Sequence, residues 1–254
     1  MLRKSRLLRL ALRWTTQFVD PFRAARAFRG VRWYLQDYRA YRRMPGAERI
    51  RLLDTYPSFG ERGATHDFDA HYFYANPWVA RRVVAARPAR HVDVASQTVL
   101  ATMLSATLPV TYIDYRALRV SIPGMTSLAG DLTRLPLRDR SVPSLSCIHV
   151  AEHVGLGRYG DPIDPAGTKR AAAELARVLA PGGRLYFALP VGQPRVEFNA
   201  HRVHAAAQIV DYFSGLRLEE YSGIGDDGRY YEHVPLDRFV HDRYACGLFV
   251  FTRP

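Results

Sequence analysis

From about residue 90 onward, short apolar runs alternate with helical stretches, and this alternation constrains the fold more than any other feature of the chain. The pattern predicts strands at His91–Ala95, Val110–Asp114, Ser127–Gly130, Ser144–Val150, Arg184–Pro190, Leu216–Ser222 and Gly247–Thr252. Helices fall at about Pro77–Ala86, Thr98–Thr107, Gly167–Leu179 and Ala205–Phe213. Strands that alternate with helices imply a parallel sheet covered on both faces. The last two strands are joined by a long loop with no clear helix, which predicts an antiparallel hairpin at one edge. At 254 residues and 48% hydrophobic, the chain is long enough to bury such a sheet. Its 24% charged and 12% aromatic content excludes a disordered or low-complexity chain.

The net charge of +12 is unevenly placed. Residues 1–50 hold 13 Lys and Arg against the three acids Asp20, Asp37 and Glu48, whereas the remainder holds 23 against 21. A nucleic-acid-binding domain would carry its charge on the body, so no nucleic-acid partner is expected. Leu7, Leu10, Ala11, Trp14 and Phe18 recur at helical spacing, with Arg6, Arg9 and Arg13 towards the opposite face. Arg9 and Arg13 interrupt any signal-peptide core. A basic amphipathic helix of this kind suits either an anionic membrane surface or packing on the domain. A second helical segment, Phe22 to Tyr41, is rich in Arg and aromatics and is expected to pack on the body. The division expected is a basic helical extension over 1–60 and an α/β domain over 61–254. No apolar run is long enough to cross a bilayer. Cys147 and Cys246 lie far apart in apolar runs, which argues against a disulfide framework and for a reducing, cytoplasmic setting, with peripheral attachment to the membrane's inner face as an option.

In an open parallel sheet, ligands bind at the carboxyl ends of the strands, near the point where strand order reverses. Those positions read Val92-Asp93-Val94-Ala95-Ser96-Gln97, Tyr112-Ile113-Asp114, Gly130-Asp131-Leu132 and His149-Val150-Ala151-Glu152-His153, followed by Leu179-Ala180-Pro181-Gly182-Gly183-Arg184-Leu185. An acid at the end of the second strand can accept both hydroxyls of a ribose, and one after the third can accept from an exocyclic amine. Singly, an Asp after a strand is more often a helix cap. The ordered series is more specific.

That series resembles the class I S-adenosylmethionine-dependent methyltransferases over about residues 90–222. More narrowly, the segment from His149 to Pro162, with His71-Tyr72-Phe73-Tyr74, Asn76-Pro77-Trp78 and Phe198-Asn199-Ala200-His201-Arg202, resembles an uncharacterised branch associated with bacterial surface-glycan clusters and nematodes. The resemblance implies a seven-stranded Rossmann-like α/β sandwich with a helical basic extension. It implies S-adenosyl-L-methionine as cofactor, held by Asp93, Ala95, Ser96, Asp114, Asp131, Leu132 and His149. One departure stands out: the turn Ala95-Ser96-Gln97-Thr98-Val99 lacks the glycine-rich character that lets backbone approach the cofactor. Ala95 replaces glycine there if its φ is negative, and Ser96 can still donate.

Methyl transfer to a hydroxyl gains from a general base, and His153, after the fourth strand, is the candidate; the alternative is that Glu152 and His153 merely begin a helix. Arg158, Tyr159 and Asp161, in a long polar loop, with His201 and Arg202 after the fifth strand, are candidate binders of a small-molecule or glycan substrate. His201 and His204 lack a matching Glu motif, so no metal site is expected. The tyrosine-rich block at 71–74 either closes over the site or packs in the core, with core packing the favoured reading, and the Asp226-Asp227-Gly228 turn needs no function. Two functions remain open: an O-methyltransferase acting on a sugar or glycan intermediate, or a methyltransferase fold that has lost its cofactor and binds a glycan or partner protein.

Overall fold

The structure is a computed structural model that describes residues 15–16, 20–59 and 68–254. The chain divides into two compact units between Phe68 and Asp69. The helix expected around residues 7–18 lies outside the described residues, Thr15 and Thr16 apart. In the first unit, helix α1 (Pro21–Arg43) closes on Arg42 and Arg43, whose charges suit the partial negative charge of a helix C-terminus. Trp33 and Tyr34 meet Phe59 edge-on, with ring centroids 6.3 and 5.8 Å apart. Phe28 is left 80% exposed. No described helix is long and apolar enough to cross a membrane.

The second unit contains α2 (Ala70–Ala86), β1 (His91–Val94), α3 (Thr98–Ser105), β2 (Val110–Asp114), β3 (Met125–Ala129), β4 (Val142–Ile148), α4 (Gly167–Val178) and β5 (Leu179–Val191). It continues through the hairpin β6 (Arg195–Glu197) and β7 (His201–Val203), then α5 (Ala206–Tyr212), β8 (Arg217–Ile224), β9 (Tyr230–Tyr231) and β10 (Ala245–Thr252). The main sheet runs β3-β2-β1-β4-β5-β10-β8-β9. Its first five strands are parallel, and β10 lies antiparallel between β5 and β8. The expected late hairpin is therefore present as the β8–β10 pair, but β10 is internal to the sheet. The short β9, antiparallel to β8, takes the edge and brings this sheet to eight strands where seven were expected.

β10 is buried along its whole length, and its side chains alternate between two cores. Ala245, Phe249 and Phe251 join Leu175, Val178, Ile209 and Phe213 of α4 and α5 on one face. Cys246, Leu248 and Val250 join Trp78, Val79, Val83, Leu100 and Leu104 of α2 and α3 on the other. Helix α2 starts seven residues before the expected Pro77, because Asp69 caps it by accepting from the backbone N–H of His71 (3.0 Å) and Tyr72 (3.4 Å). Arg82 ties this helix to β8: its Nε and Nη2 donate to Glu220 at 2.8 and 2.5 Å, and its guanidinium lies 4.4 Å from the Trp78 ring centroid.

Candidate functional site

Strand order reverses between β1 and β4, and two cavities lie at the carboxyl ends of β1 to β4. The smaller, about 240 Å³, is lined by Ala95, Asp114, Tyr115, Arg116, Asp131, Leu132 and Asp161 among others. The larger, about 370 Å³, is lined by Asp69, His71, Tyr72, Ser96, Glu152, Arg158, His201 and Tyr244 among others. Ala95, His149, His153 and Tyr159 wall both.

In the smaller cavity Asp114 caps the end of β2: one oxygen accepts from the Arg116 N–H (2.8 Å) and the other from the Tyr112 hydroxyl (3.2 Å). A carboxylate offers about four lone-pair sites, so two remain for a pair of hydroxyls. Asp131 accepts from the Thr133 N–H (2.7 Å) and hydroxyl (2.8 Å) through the same oxygen, which leaves its second oxygen for an amine donor. The residues present therefore fit the nucleoside end of S-adenosylmethionine.

Four sequence expectations need correction. Asp93 does not reach either cavity: it is fully buried, accepts from the Ser96 N–H (3.1 Å) and from the Ser146 hydroxyl, and so holds the first turn in place from below. Burial pushes its pKa up to about 6. Ser96 is buried as well; its hydroxyl accepts from the Ile148 N–H (3.1 Å) and its carbonyl shares the one Tyr112 hydroxyl proton (3.0 Å) with Asp114, so its polar groups knit the turn to the sheet. Ala95 has a φ of +55°, the left-handed conformation that glycine favours, so the negative φ on which its replacement of glycine depends is not met. Arg202, 6% exposed, donates to the Val154 carbonyl (2.5 Å) and the Asp164 carbonyl (2.9 Å). It clasps the two ends of the 154–164 loop and is not available to a substrate.

The same loop is closed from within. Asp161 accepts from the N–H groups of Gly155 (2.6 Å) and Tyr159 (3.2 Å), and these bonds hold its pKa below the usual carboxylate range although burial opposes them. Gly155 has a φ of +77°, and a Cβ there would lie 2.2 Å from the Asp164 carbonyl oxygen, so only glycine fits. The staples leave Arg158 and Tyr159 on the cavity walls, with the Arg158 guanidinium 5.3 Å and that of Arg116 5.5 Å from the Tyr159 ring centroid.

His153 occupies a single 3₁₀ turn, Ala151–His153. Its Nδ1 lies 2.6 Å from the Ala200 carbonyl oxygen, which can only accept, and 3.3 Å from Arg158 Nη1, which can only donate; the shorter contact favours the tautomer with the proton on Nδ1 and the lone pair on Nε2. Arg158 donates to the same carbonyl (3.0 Å), and Glu152 Oε1 lies 3.7 Å from Nε2, placed to stabilise an imidazolium. His201 meets the Tyr244 ring at 4.8 Å and approaches Glu197 at 3.6 Å; burial lowers its pKa.

His149 leaves β4 with a φ of +56° and is buried. Its Nδ1 lies 3.2 Å from Glu152 Oε1, and its Nε2 lies 3.2 Å from Cys246 Sγ. Burial opposes the charged ring, but the sulfur and the carboxylate outweigh it and raise the His149 pKa. The same pairing holds Glu152 below its ordinary value against burial. His71 stacks on His149 with centroids 5.3 Å apart, and burial together with the neighbouring His149 charge pushes its pKa down to about 4.

The block at 71–74 divides between its two readings: His71 and Tyr72 line the larger cavity, whereas Tyr74 packs against the core of α2 and α3. Sequence reasoning had missed Tyr244 and Cys246, whose approach to the site follows only from the placement of β10. Asp226, read as a simple turn residue, accepts from the N–H groups of Arg243 (2.7 Å) and Tyr244 (2.8 Å) and so sets Tyr244 in the cavity wall.

The fold is that of the class I S-adenosylmethionine-dependent methyltransferases. The N-methyltransferase NodS from Bradyrhizobium japonicum WM9, in complex with S-adenosyl-L-homocysteine, superimposes with a TM-score of 0.50 at 15% identity over 74% of this chain and 90% of its own. The [4+2]-cyclase SpnF superimposes with a TM-score of 0.53 at 16% identity over 74% of this chain and 86% of its own. A transferase and a cyclase thus share this architecture, and the reaction must be argued from the site. The family model described as "Caenorhabditis protein of unknown function, DUF268" matches residues 141–229, less than half of the chain. No curated protein matches this sequence.

Proposed function

We propose that this chain is an S-adenosylmethionine-dependent methyltransferase that O-methylates a sugar or glycan intermediate, with the nucleoside in the smaller cavity and the acceptor in the larger. The observation that carries this reading is the placement of His153: its Nδ1 lies 2.6 Å from the Ala200 carbonyl, a contact that favours a free lone pair on Nε2, and its ring walls both cavities. When bound, the cofactor supplies a methyl group activated by a sulfonium. His153 Nε2 takes the acceptor's hydroxyl proton, and Glu152 stabilises the resulting imidazolium. Arg158 and the rings of Tyr72, Tyr159 and Tyr244 orient a hydroxyl-rich acceptor. The stapled 154–164 loop keeps Arg158 and Tyr159 in place.

A second reading has its own support. A turn with an alanine at positive φ and no glycine suits a fold that has lost its cofactor and binds a glycan or a partner protein. Calorimetric titration with S-adenosylmethionine decides between them. Saturable binding is expected, weakened tenfold or more by Asp114→Ala, since losing a charged acceptor of two hydroxyls costs about 1.5–3 kcal/mol. No heat at millimolar cofactor would remove the enzyme reading, and unchanged affinity in the variant would remove the ribose role.

For the N-terminal arm we propose an anionic membrane surface as partner, at the cytoplasmic face. Its support is the charge of residues 1–50, +10 of the total +12, together with the apolar spacing of Leu7 to Phe18. The full chain should sediment with vesicles containing anionic lipid, more weakly as salt rises. Deleting residues 2–19 should release it without lowering the melting temperature. A lowered melting temperature with no vesicle binding in the intact chain would sink this proposal.

A further inference from the structure

The assigned roles leave one group of side chains unused. His71 on α2, His149 at the end of β4 and Cys246 on β10 come from three remote parts of the sequence, yet one ligand atom of each lies within 4.8 Å of the other two. Cys246 Sγ is already 3.2 Å from His149 Nε2. The opposite nitrogen of that ring is held by Glu152 at 3.2 Å. Glu152 is 1% exposed, and its second oxygen has no hydrogen-bond partner. The carboxylate's charge is met by His149, but a buried acceptor oxygen left without a donor is costly in a protein interior. A carboxylate on one imidazole nitrogen, with the other nitrogen turned to a soft donor, is how metal-binding histidines are oriented and made more basic.

We propose that His71, His149 and Cys246 bind one divalent transition-metal ion of the zinc type, with Glu152 as the residue that positions His149. Two imidazoles and a thiolate form a borderline donor set suited to zinc or cobalt and unsuited to magnesium or calcium. Bonds of about 2.0–2.1 Å to nitrogen and 2.3 Å to sulfur require the three donor atoms to draw together around the ion. Metal entry displaces the one proton shared between Sγ and Nε2, while the proton on Nδ1 stays with Glu152, so affinity rises with pH. His71 and His149 both line the larger cavity, which leaves the fourth position open to water or to an acceptor oxygen. An ion so placed would lower the pKa of that oxygen beside His153. The inference does not rest on the methyltransferase reading, because metal binding requires no cofactor.

The test is titration of the full-length, chelator-stripped protein with cobalt(II) chloride alone. The expected result is a spectrum that saturates at one equivalent, with a thiolate-to-cobalt charge-transfer band in the near ultraviolet and visible bands of four-coordinate cobalt; zinc(II) should erase it. Cys246→Ser should abolish the charge-transfer band, whereas Cys147→Ser, at a buried cysteine in the opposite core, should retain it. Glu152→Gln should weaken zinc binding about 10- to 100-fold. Because Cys246 is buried, His71→Ala at a half-buried position serves as the second variant: its far-ultraviolet circular dichroism should match wild type while the cobalt spectrum weakens. No saturable cobalt spectrum in wild type, or an unchanged one in Cys246→Ser or His71→Ala, would overturn the proposal. Cofactor titration of the metal-free protein is scored separately, so either reading can fail alone.

Discussion

The smaller cavity takes most of its wall from the ends of β1, β2, β3 and β4, whereas the larger one draws on segments spread from Asp69 to Tyr244. Their chemistry differs as much as their construction. The first presents the carboxylates Asp114, Asp131 and Asp161 beside the apolar Val94, Ile113 and Leu132, which suits hydroxyl and amine donors on a flat nucleoside. The second gathers His71, His149, His153 and His201 with Arg158 around one buried carboxylate, Glu152, which suits the movement of protons. The first cavity's polar groups sit at the ends of neighbouring strands, whereas the second's are brought together from remote parts of the chain.

The largest test of that contrast is His153→Ala. If the larger cavity does the proton chemistry, turnover should fall about 100-fold or more while calorimetric affinity for S-adenosylmethionine stays at the wild-type value. Loss of cofactor binding in the same proportion would mean that the two cavities act as one, and near-normal turnover would make His153 structural.

Legibility in the sequence follows the same division. Asp114 and Asp131 could be placed in advance because the one ends its strand and the other follows its strand by two residues, and a parallel sheet puts all such positions at one end. Asp93 obeyed the same rule and was misjudged, since it lies inside β1, buried on both sides, where a carboxylate turns to Ser96 and Ser146 instead of to a ligand. His71 and Tyr72 stood out only through the family resemblance, and Tyr244 not at all: their side chains reach the cavity because Asp69 starts α2 early and Asp226 anchors the residues before β10. Cys246 read as an apolar core residue, and it is one on every count except its neighbour His149. The most informative misjudgement is Arg202, which shares a polar segment with His201 but points the other way along the short strand β7.

Arg202 offers the second test. Truncation to alanine removes the donor to two carbonyls in a buried setting, each costing on the order of 1 kcal/mol or more when left unmade. Arg202→Ala should therefore lose about 2 kcal/mol of stability, a melting-temperature drop of roughly 4–8 °C for a domain of this size. Arg158→Ala, which removes a cavity-wall cation, should leave the melting temperature nearly unchanged and act on acceptor binding. Equal melting shifts in the two variants would return Arg202 to the substrate side of the comparison.

The smallest expected effect concerns Ala95, which walls both cavities. A left-handed alanine costs about 1–2 kcal/mol relative to glycine in the same conformation. Glycine gives back about 0.4–1 kcal/mol because its unfolded chain is more disordered. Ala95→Gly should therefore stabilise the fold by about 0.5–1 kcal/mol, a rise of roughly 1–4 °C in melting temperature. Ala95→Val should move it downward, since a β-branched residue tolerates positive φ worse than alanine does. The same glycine removes a Cβ from the wall the two cavities share, so cofactor affinity should rise along with stability. A stability gain without any change in affinity would show that the turn is strained for reasons of chain geometry alone. A loss of stability in Ala95→Gly would mean that residue 95 does not hold a left-handed conformation in solution.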